Sequence, residues 1–166
     1  MRNAERMLAM GGVHALDAAM PCRLMHVVPA QALEDLAWKD ALVVRAHAEG
    51  QAELICGTQR TLLLIVNPAR LELVLVSDSV RGGEHFQVRA VPRDRNGREL
   101  EVGKWTEIGW RSEGAATSDP DASAGEFGGC ATCFGLHRFR ATAAGPATIV
   151  AQLGEATGSL RIHAQP

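Results

Sequence analysis

The sequence contains no tyrosine and few aromatic residues of any kind. Three tryptophans and four phenylalanines are its whole aromatic content, 4% of the 166 residues. Aromatic rings are the usual stacking surfaces for single-stranded nucleic acid, and their flat apolar faces also suit sugar rings. Their scarcity argues against both functions and predicts a core of valine, leucine, isoleucine and alanine.

An excess of charge of either sign is also missing. The formal net charge is −2, and charged residues make up 22% of the chain. A protein that binds nucleic acid or an anionic membrane electrostatically carries a strongly basic face or domain. We therefore expect no nucleic-acid partner. With 46% hydrophobic residues, the composition is that of an ordinary globular chain.

No hydrophobic run approaches the roughly 20 residues that a membrane-spanning helix requires. The chain begins MRNAERMLAMGG, where Glu5 lies in a charged segment and no apolar core of a signal peptide follows. Two interpretations remain: a cytoplasmic protein, or part of a longer exported protein whose leader is not present in this chain. We favour export, to the periplasm, the outer membrane or the medium, because the first of two sequence copies lacks a convincing first strand.

Those two copies are visible as an internal repeat. Residues 45–55 (RAHAEGQAELI) align without a gap with residues 140–150 (RATAAGPATIV), and GGVH at 11–14 resembles GGEH at 82–85. Repetition at this scale indicates two copies of one domain. The two pairs differ in spacing, so the second copy is longer in its middle and the first copy is abbreviated.

Short apolar segments separated by turn residues recur along the chain, as they do in β-sandwiches. Asn96 and Gly97 are the clearest hairpin signal, while the spacing of Leu33 and Leu36 predicts a short helix or an irregular crossing within residues 32–38. We predict an all-β fold of tandem immunoglobulin-like β-sandwiches, the first short or incomplete. The predicted strands cover residues 41–48, 52–56, 61–66, 70–76, 85–92, 105–111, 134–141, 147–151 and 159–163.

A short, stiff joint separates the two copies. Asn67, Pro68 and Ala69 follow the apolar pattern at 61–66, and a proline restricts both itself and the preceding residue to extended geometry. We place the boundary here. The prediction is an N-terminal sandwich at residues 1–67 and a C-terminal sandwich at residues 70–166.

The second copy resembles a known family. Its opening strand LELVL, a Gly-Gly turn before HFQVRAVPRDRNGREL, an IGW strand and the ending FRATAAGPATIVAQLGEATGSLRIHA follow one another in order. This pattern is similar to bacterial immunoglobulin-like domains of group 2, the invasin/intimin-like group, most clearly over residues 73–164. Residues 41–66 match only its second half. The resemblance implies a non-catalytic spacer or adhesion module of an exported or surface protein.

The sharpest local motif is Cys-x-x-Cys at Cys130 and Cys133, with His137 four residues further on. A disulfide closing a tight loop is our first interpretation, because cysteines of exported domains usually pair. A zinc site would add His137 and a fourth ligand such as His85, His163 or a residue of a partner chain. A thioredoxin-like redox pair normally begins a helix. Two free thiols are the remaining alternative.

The other two cysteines, Cys22 and Cys56, lie on predicted strands of the first copy. They are a candidate second disulfide, and the alternative is that both are small buried hydrophobic side chains. No Ser-His-Asp, paired-carboxylate or phosphate-loop arrangement stands out in the sequence. We therefore predict no cofactor and no catalytic activity.

We expect a binding or architectural module that presents residues 113–135, a long loop, or its exposed edge strands to a protein partner. The competing class is a small metal- or redox-active protein centred on the Cys-x-x-Cys motif. A carbohydrate-binding sandwich is a third class, whose contacts would be Trp38, Trp105 and Trp110. The partner's identity and the oligomeric state do not follow from the sequence.

Overall fold

The computed structural model describes residues 4–16, 20–37, 41–103, 106–119 and 135–166. Contacts divide the chain into two compact units, the first formed by Met1–Ala69 with Pro92–Glu107 and the second by Arg70–Val91 with Ile108–Pro166. The domain bounds expected from the sequence were 1–67 and 70–166. The division by contacts differs from them in one segment, Pro92–Glu107, which groups with the first unit.

The first unit consists of two sheets. Its strands are β1 (Ala4–Ala9), β2 (Val13–Ala15), β3 (Cys22–Val28), β4 (Leu33–Asp35), β5 (Val43–Ala46), β6 (Gly50–Cys56) and β7 (Gln59–Val66), with a single 3-10 turn at Ala30–Ala32. One sheet has the order β1-β7-β6-β3 and the other β2-β5-β4. β1 runs parallel to β7, and the other pairs are antiparallel.

The second unit is also a two-sheet sandwich. Its strands are β8 (Arg70–Leu75), β9 (His85–Arg93), β10 (Gly109–Gly114), β11 (Ala116–Ser118), β12 (Leu136–Ala141), β13 (Gly145–Leu153) and β14 (Ala156–Ala164). The sheets have the orders β11-β12-β9-β8 and β10-β13-β14. Two stacked phenylalanines, Phe86 and Phe139, lie in its core with their ring centroids 5.6 Å apart.

The repeated stretch has the same place in both units. Residues 45–55 run from β5 of one sheet into β6 of the other, and residues 140–150 run from β12 into β13 in the same way. The repeat therefore encodes the crossing between the two sheets of each sandwich. Three of its matching pairs of small or apolar residues are buried in both units: Ala46 and Ala141, Ala52 and Ala147, and Leu54 and Ile149.

The core of the first unit lies between its two sheets. Along β7, Leu63 and Ile65 point inward and are buried, whereas Leu62 and Leu64 on the opposite face are partly exposed, as the two-residue period of a strand requires. The residues of this core are Leu8, Leu16, Leu33, Val44, Ala46, Ala52, Leu54, Leu63 and Ile65.

Pro92–Glu107 completes the first unit along the edge of β1. Glu101 forms a parallel bridge with Leu8. The Glu101 N–H donates to the Met7 carbonyl at 2.8 Å, and the Ala9 N–H donates to the Glu101 carbonyl at 3.0 Å. A segment that begins with the last two residues of β9 thus satisfies backbone groups of β1, near residue 8 of the chain.

The hairpin turn within that segment is closed by the buried side chain of Asp94. Its Oδ1 accepts the N–H groups of Asn96 and Arg98, each at 2.8 Å, and its Oδ2 accepts from Arg98 Nε at 2.7 Å. Burial alone would raise the pKa of Asp94, but these hydrogen bonds together hold the pKa below its usual value. The predicted turn is present, and only Gly97 in it takes a positive φ, +80°.

The all-β prediction is confirmed, because each unit is a sandwich of two β-sheets. The predicted helix within residues 32–38 is wrong, because Leu33 and Glu34 belong to β4, which pairs with β5. The strand predicted over residues 105–111 begins only at Gly109. Ala4–Ala9 forms β1, which supplies the first strand that the sequence pattern did not reveal in the first copy.

Candidate functional site

The candidate site lies in the second unit where β11 ends and β12 begins. The two strands are antiparallel, with Thr117 opposite Arg140 and Ser118 opposite Phe139. Residues 120–134, which connect them, lie outside the described residues. The side chains on either side of this connection are therefore neighbours. They form two clusters, one around Ser118 and His137 and the other around Asp119 and Arg138.

The first cluster faces the interior of the sandwich. The Ser118 Oγ lies 2.6 Å from His137 Nε2. The His137 ring stacks on Trp110 of the other sheet, with centroids 5.3 Å apart and an interplanar angle of 13°, and meets Phe139 edge-on at 4.8 Å. Burial lowers the pKa of His137, an effect that the charge of Asp119 partly opposes. The His137 ring is thus held in place by three neighbours, Ser118, Trp110 and Phe139.

The second cluster faces the opposite side of the same sheet. Asp119, only 8% exposed, accepts hydrogen bonds at Oδ2 from Arg138 Nε and lies 2.6 Å from Arg138 Nη2. The His85 Nε2 of β9 lies 3.3 Å from the same carboxylate oxygen. Charge-assisted pairs of this kind are stronger than neutral ones. This buried carboxylate therefore ties β11 to β12 and β9.

The arrangement of Ser118, His137 and Asp119 differs from a catalytic triad. In a triad the carboxylate holds the second ring nitrogen of the histidine, whereas the Asp119 carboxylate receives the guanidinium of Arg138. Stacking on Trp110 also restricts the ring that would have to act as the base. The geometry is that of a cross-link between the two described ends of the 120–134 connection.

The predicted loop at residues 113–135 begins later than the sequence suggested. Glu113 and Gly114 end β10, which pairs with β13, and Ala116–Ser118 forms β11. Ala116 and Ser118 are more buried than Thr117, as alternate residues of a strand are, although the small and polar composition of this stretch is typical of a loop. Only from residue 120 does the connection leave the described structure.

The Cys-x-x-Cys motif, Cys130 and Cys133, lies outside the described residues, and so do Trp38 and Trp105. His137, the residue predicted as a possible zinc ligand, is hydrogen-bonded to Ser118. Within the described ranges, no group of three or more His, Cys, Asp or Glu side chains is placed to hold a metal ion. In this same part of the chain, no helix has the length and apolar character needed to span a membrane.

Cys22 and Cys56 form a disulfide in the first unit. They are directly opposite each other on β3 and β6, with Cα atoms 4.3 Å apart. This distance is near the lower end of the range that a disulfide spans and matches a close cross-strand pair. The bond joins β3, at one edge of its sheet, to the rest of the first unit.

A shallow surface pocket lies on the outer face of the same sheet. Its two carboxylates come from different strands, and Glu53 Oε1 accepts a hydrogen bond from Arg60 Nη1 at 3.2 Å. None of the site residues predicted from the sequence lines this pocket. The lining residues are Glu5, Glu53, Arg60, Thr61 and Leu62.

The sequence placed Ser118 and Asp119 in the predicted loop at residues 113–135 without their partners, and Arg138 was not identified. Ser118 and His137 are 19 positions apart, as are Asp119 and Arg138. No fixed spacing connects such residues, because the pairing register of two strands depends on the whole sheet. One local signal pointed to this part of the fold: the apolar pattern around Trp110 predicted a strand. It did not predict that Trp110 would stack on His137.

Comparisons with known proteins identify no family. No family model and no curated protein matches the chain. Similar solved structures include domains 5–6 of the S-layer protein SbsC, which has 13% identity and a TM-score of 0.39 over 98% of this chain and 94% of that one. A β-glucuronidase of Parabacteroides merdae has 13% identity and a TM-score of 0.43 over 86% and 21%. The Escherichia coli adhesin FdeC has 14% identity and a TM-score of 0.35 over 96% and 61%.

Proposed function

We propose that this chain is a non-catalytic binding or architectural module of an exported or cell-envelope bacterial protein, and that residues 113–135 present its binding surface to a protein partner. The observation that carries the proposal is the double cross-link at the base of the 120–134 connection. Ser118 bonds to His137 on one side of the sheet, and Asp119 bonds to Arg138 on the other.

The double cross-link supports a binding role because it fixes the two ends of the connection. A loop that is held at both ends loses less conformational freedom when it binds, so more of its contact energy appears as affinity. Binding residues commonly lie on loops positioned by a rigid scaffold. Here the scaffold is a sandwich whose buried Phe139 contacts the site's His137 ring directly.

Site-specific photo-crosslinking in the cells that produce the protein tests this role. A photoreactive amino acid at Ser123 or Ala124 should capture a discrete partner band, whereas the same residue at Ser159, exposed on β14, should not. Capture at Ser159 with none at Ser123 and Ala124 would contradict the proposal and favour strand addition at a sheet edge. Absence of any captured protein would contradict a protein partner altogether.

Export is supported by the Cys22–Cys56 disulfide, because disulfides persist in oxidising compartments and are rare in the cytosol. We also propose that Cys130 and Cys133 pair with each other, that the two sequence copies correspond to residues 1–67 and 70–166, and that the second copy is a group 2 bacterial immunoglobulin-like domain. The resemblance over residues 73–164 supports this last point.

The intact mass of the non-reduced protein, with and without alkylation and together with zinc analysis, separates these proposals from the metal or redox alternative. Two disulfides, no alkylation and no zinc support export and a structural motif. One zinc per chain with free Cys130 and Cys133 would make residues 130–137 a metal site instead. Two reactive thiols without zinc would favour a redox pair.

A further inference from the structure

His14 is buried in the first unit at the place where Pro92–Glu107 docks. Its side chain is 2% exposed, and its Nε2 lies 3.2 Å from the Ala9 carbonyl oxygen. Gly12 packs so closely against the ring that a side chain there would overlap with it. The ring therefore has one backbone partner at Nε2 and tightly packed surroundings.

The residues beside His14 hold the docked segment. The Ala9 N–H donates to the Glu101 carbonyl at 3.0 Å, and the Val13 N–H donates to the Thr106 Oγ1 at 2.9 Å. Gly103 lies directly against the Val13 carbonyl, where no Cβ would fit. Movement of the His14 ring would therefore disturb the backbone to which Glu101 and Thr106 bind.

We propose that His14 is a pH sensor whose protonation releases Pro92–Glu107 from β1 and β2. An imidazolium at this position would be a buried charge, and burying a charge without a full set of partners is costly. Opening the segment gives the charged ring access to water. The protonated state therefore favours the released segment, and the neutral state favours the docked one.

The charges around His14 do not remove this preference. Among the described residues, the charged groups that face it are Glu101 of the segment, which would attract an imidazolium, and Arg6 of β1, which would repel it. These two groups are already paired with each other through Arg6 Nη2 and Glu101 Oε2 at 2.7 Å. On β5, the residue opposite His14 is the apolar Val44, which is fully buried.

The pH range follows from the direction of the shift. Burial lowers the pKa of His14 below its ordinary value of 6.5. The released segment, in which His14 is exposed to water, therefore binds the proton more readily than the docked one. Docking is at full strength above about pH 6.5 and weakens as the pH falls, until the lowered pKa of the docked state is reached.

Hydrogen–deuterium exchange tests the proposal on the full chain. Between about pH 7.5 and about pH 5.5, after correction for intrinsic exchange, protection of residues 92–107 and of β1 should fall by up to about tenfold per pH unit, as expected for one proton. His14→Gln should remove this dependence. The control is His47→Gln, since His47 is a half-exposed histidine of the same unit that bonds to Glu34.

Two results would overturn the proposal: protection of residues 92–107 that does not change with pH in the wild type, or a pH dependence that persists in His14→Gln. Should His14→Gln not fold, titration of the His14 ring by NMR in the wild-type protein decides. A pKa below 6.5, with the loss of protection developing between pH 6.5 and that pKa, supports the pH sensor. An unshifted pKa, or loss of protection outside that range, contradicts it.

Discussion

Arg6 and Glu101 are 95 positions apart in the sequence, yet they form a two-pronged ion pair in the first unit. Arg6 Nε donates to Glu101 Oε1 at 3.0 Å, and Arg6 Nη2 donates to Oε2 at 2.7 Å. Both side chains are partly exposed, so the pair alone contributes little to stability. The ion pair instead helps to set the register in which the docked segment pairs with β1.

We expect a fragment of residues 1–69 to be unable to fold alone. Without Pro92–Glu107, the backbone groups of Met7 and Ala9 lose their partners, and the buried side chains of Leu100 and Val102 are missing from the unit. Addition of a synthetic 92–107 peptide should restore dispersed amide resonances in an NMR spectrum. Cooperative unfolding of the fragment by itself would contradict this dependence.

Replacement of Gly103 by alanine should destabilise the first unit by about 1–3 kcal/mol, because the new Cβ would collide with the Val13 carbonyl. Gly109→Ala is the matched control. Its Cβ would meet nothing closer than 3.8 Å, so its effect should stay within about 1 kcal/mol of zero. Urea denaturation of both variants measures the difference, and equal midpoints would show that the segment is not docked as described.

Cys22→Ala should lower the free energy of unfolding of the first unit by about 3–4 kcal/mol. The bond closes a loop of 34 residues, and loops of this length restrict the unfolded chain by about that amount. Reduction of the wild-type protein should have a similar effect. Thermal unfolding with and without reductant checks this. A Cys22→Ala protein that gains further instability on reduction would point to another disulfide that supports the fold.

Asp94→Ala should destabilise the first unit near neutral pH, because three hydrogen bonds at the hairpin lose their acceptor. The lowered pKa of Asp94 means that its stabilisation is complete well above its ordinary value of 3.8 and is lost as the pH falls through that value to the lower pKa of the folded state. The variant should approach the wild type in stability under strongly acidic conditions.

Asp78→Ala is the control for that experiment, since Asp78 is an exposed residue of the loop after β8. Chemical denaturation at a series of pH values compares the three proteins. A constant stability difference between wild type and Asp94→Ala from neutral to strongly acidic pH would show that the carboxylate's charge does not support the hairpin.

Much of the fold was determined by local sequence. Alternating apolar residues and turn residues specify strands one at a time, so the β-sandwich class and the hairpin at Gly97 were predictable. The repeated stretch at residues 45–55 and 140–150 was predictable as a repeat, because both copies must bury small residues where the chain crosses between sheets.

Only the tertiary structure decided which distant residues meet. The docking of Glu101 on β1, the bond between Cys22 and Cys56 and the contact of Ser118 with His137 all depend on strand register and on the course of the chain between units. Alternation in a sequence states which face a side chain occupies but not which strand lies beside it. For that reason the sequence pattern did not reveal that Pro92–Glu107 groups with the first unit.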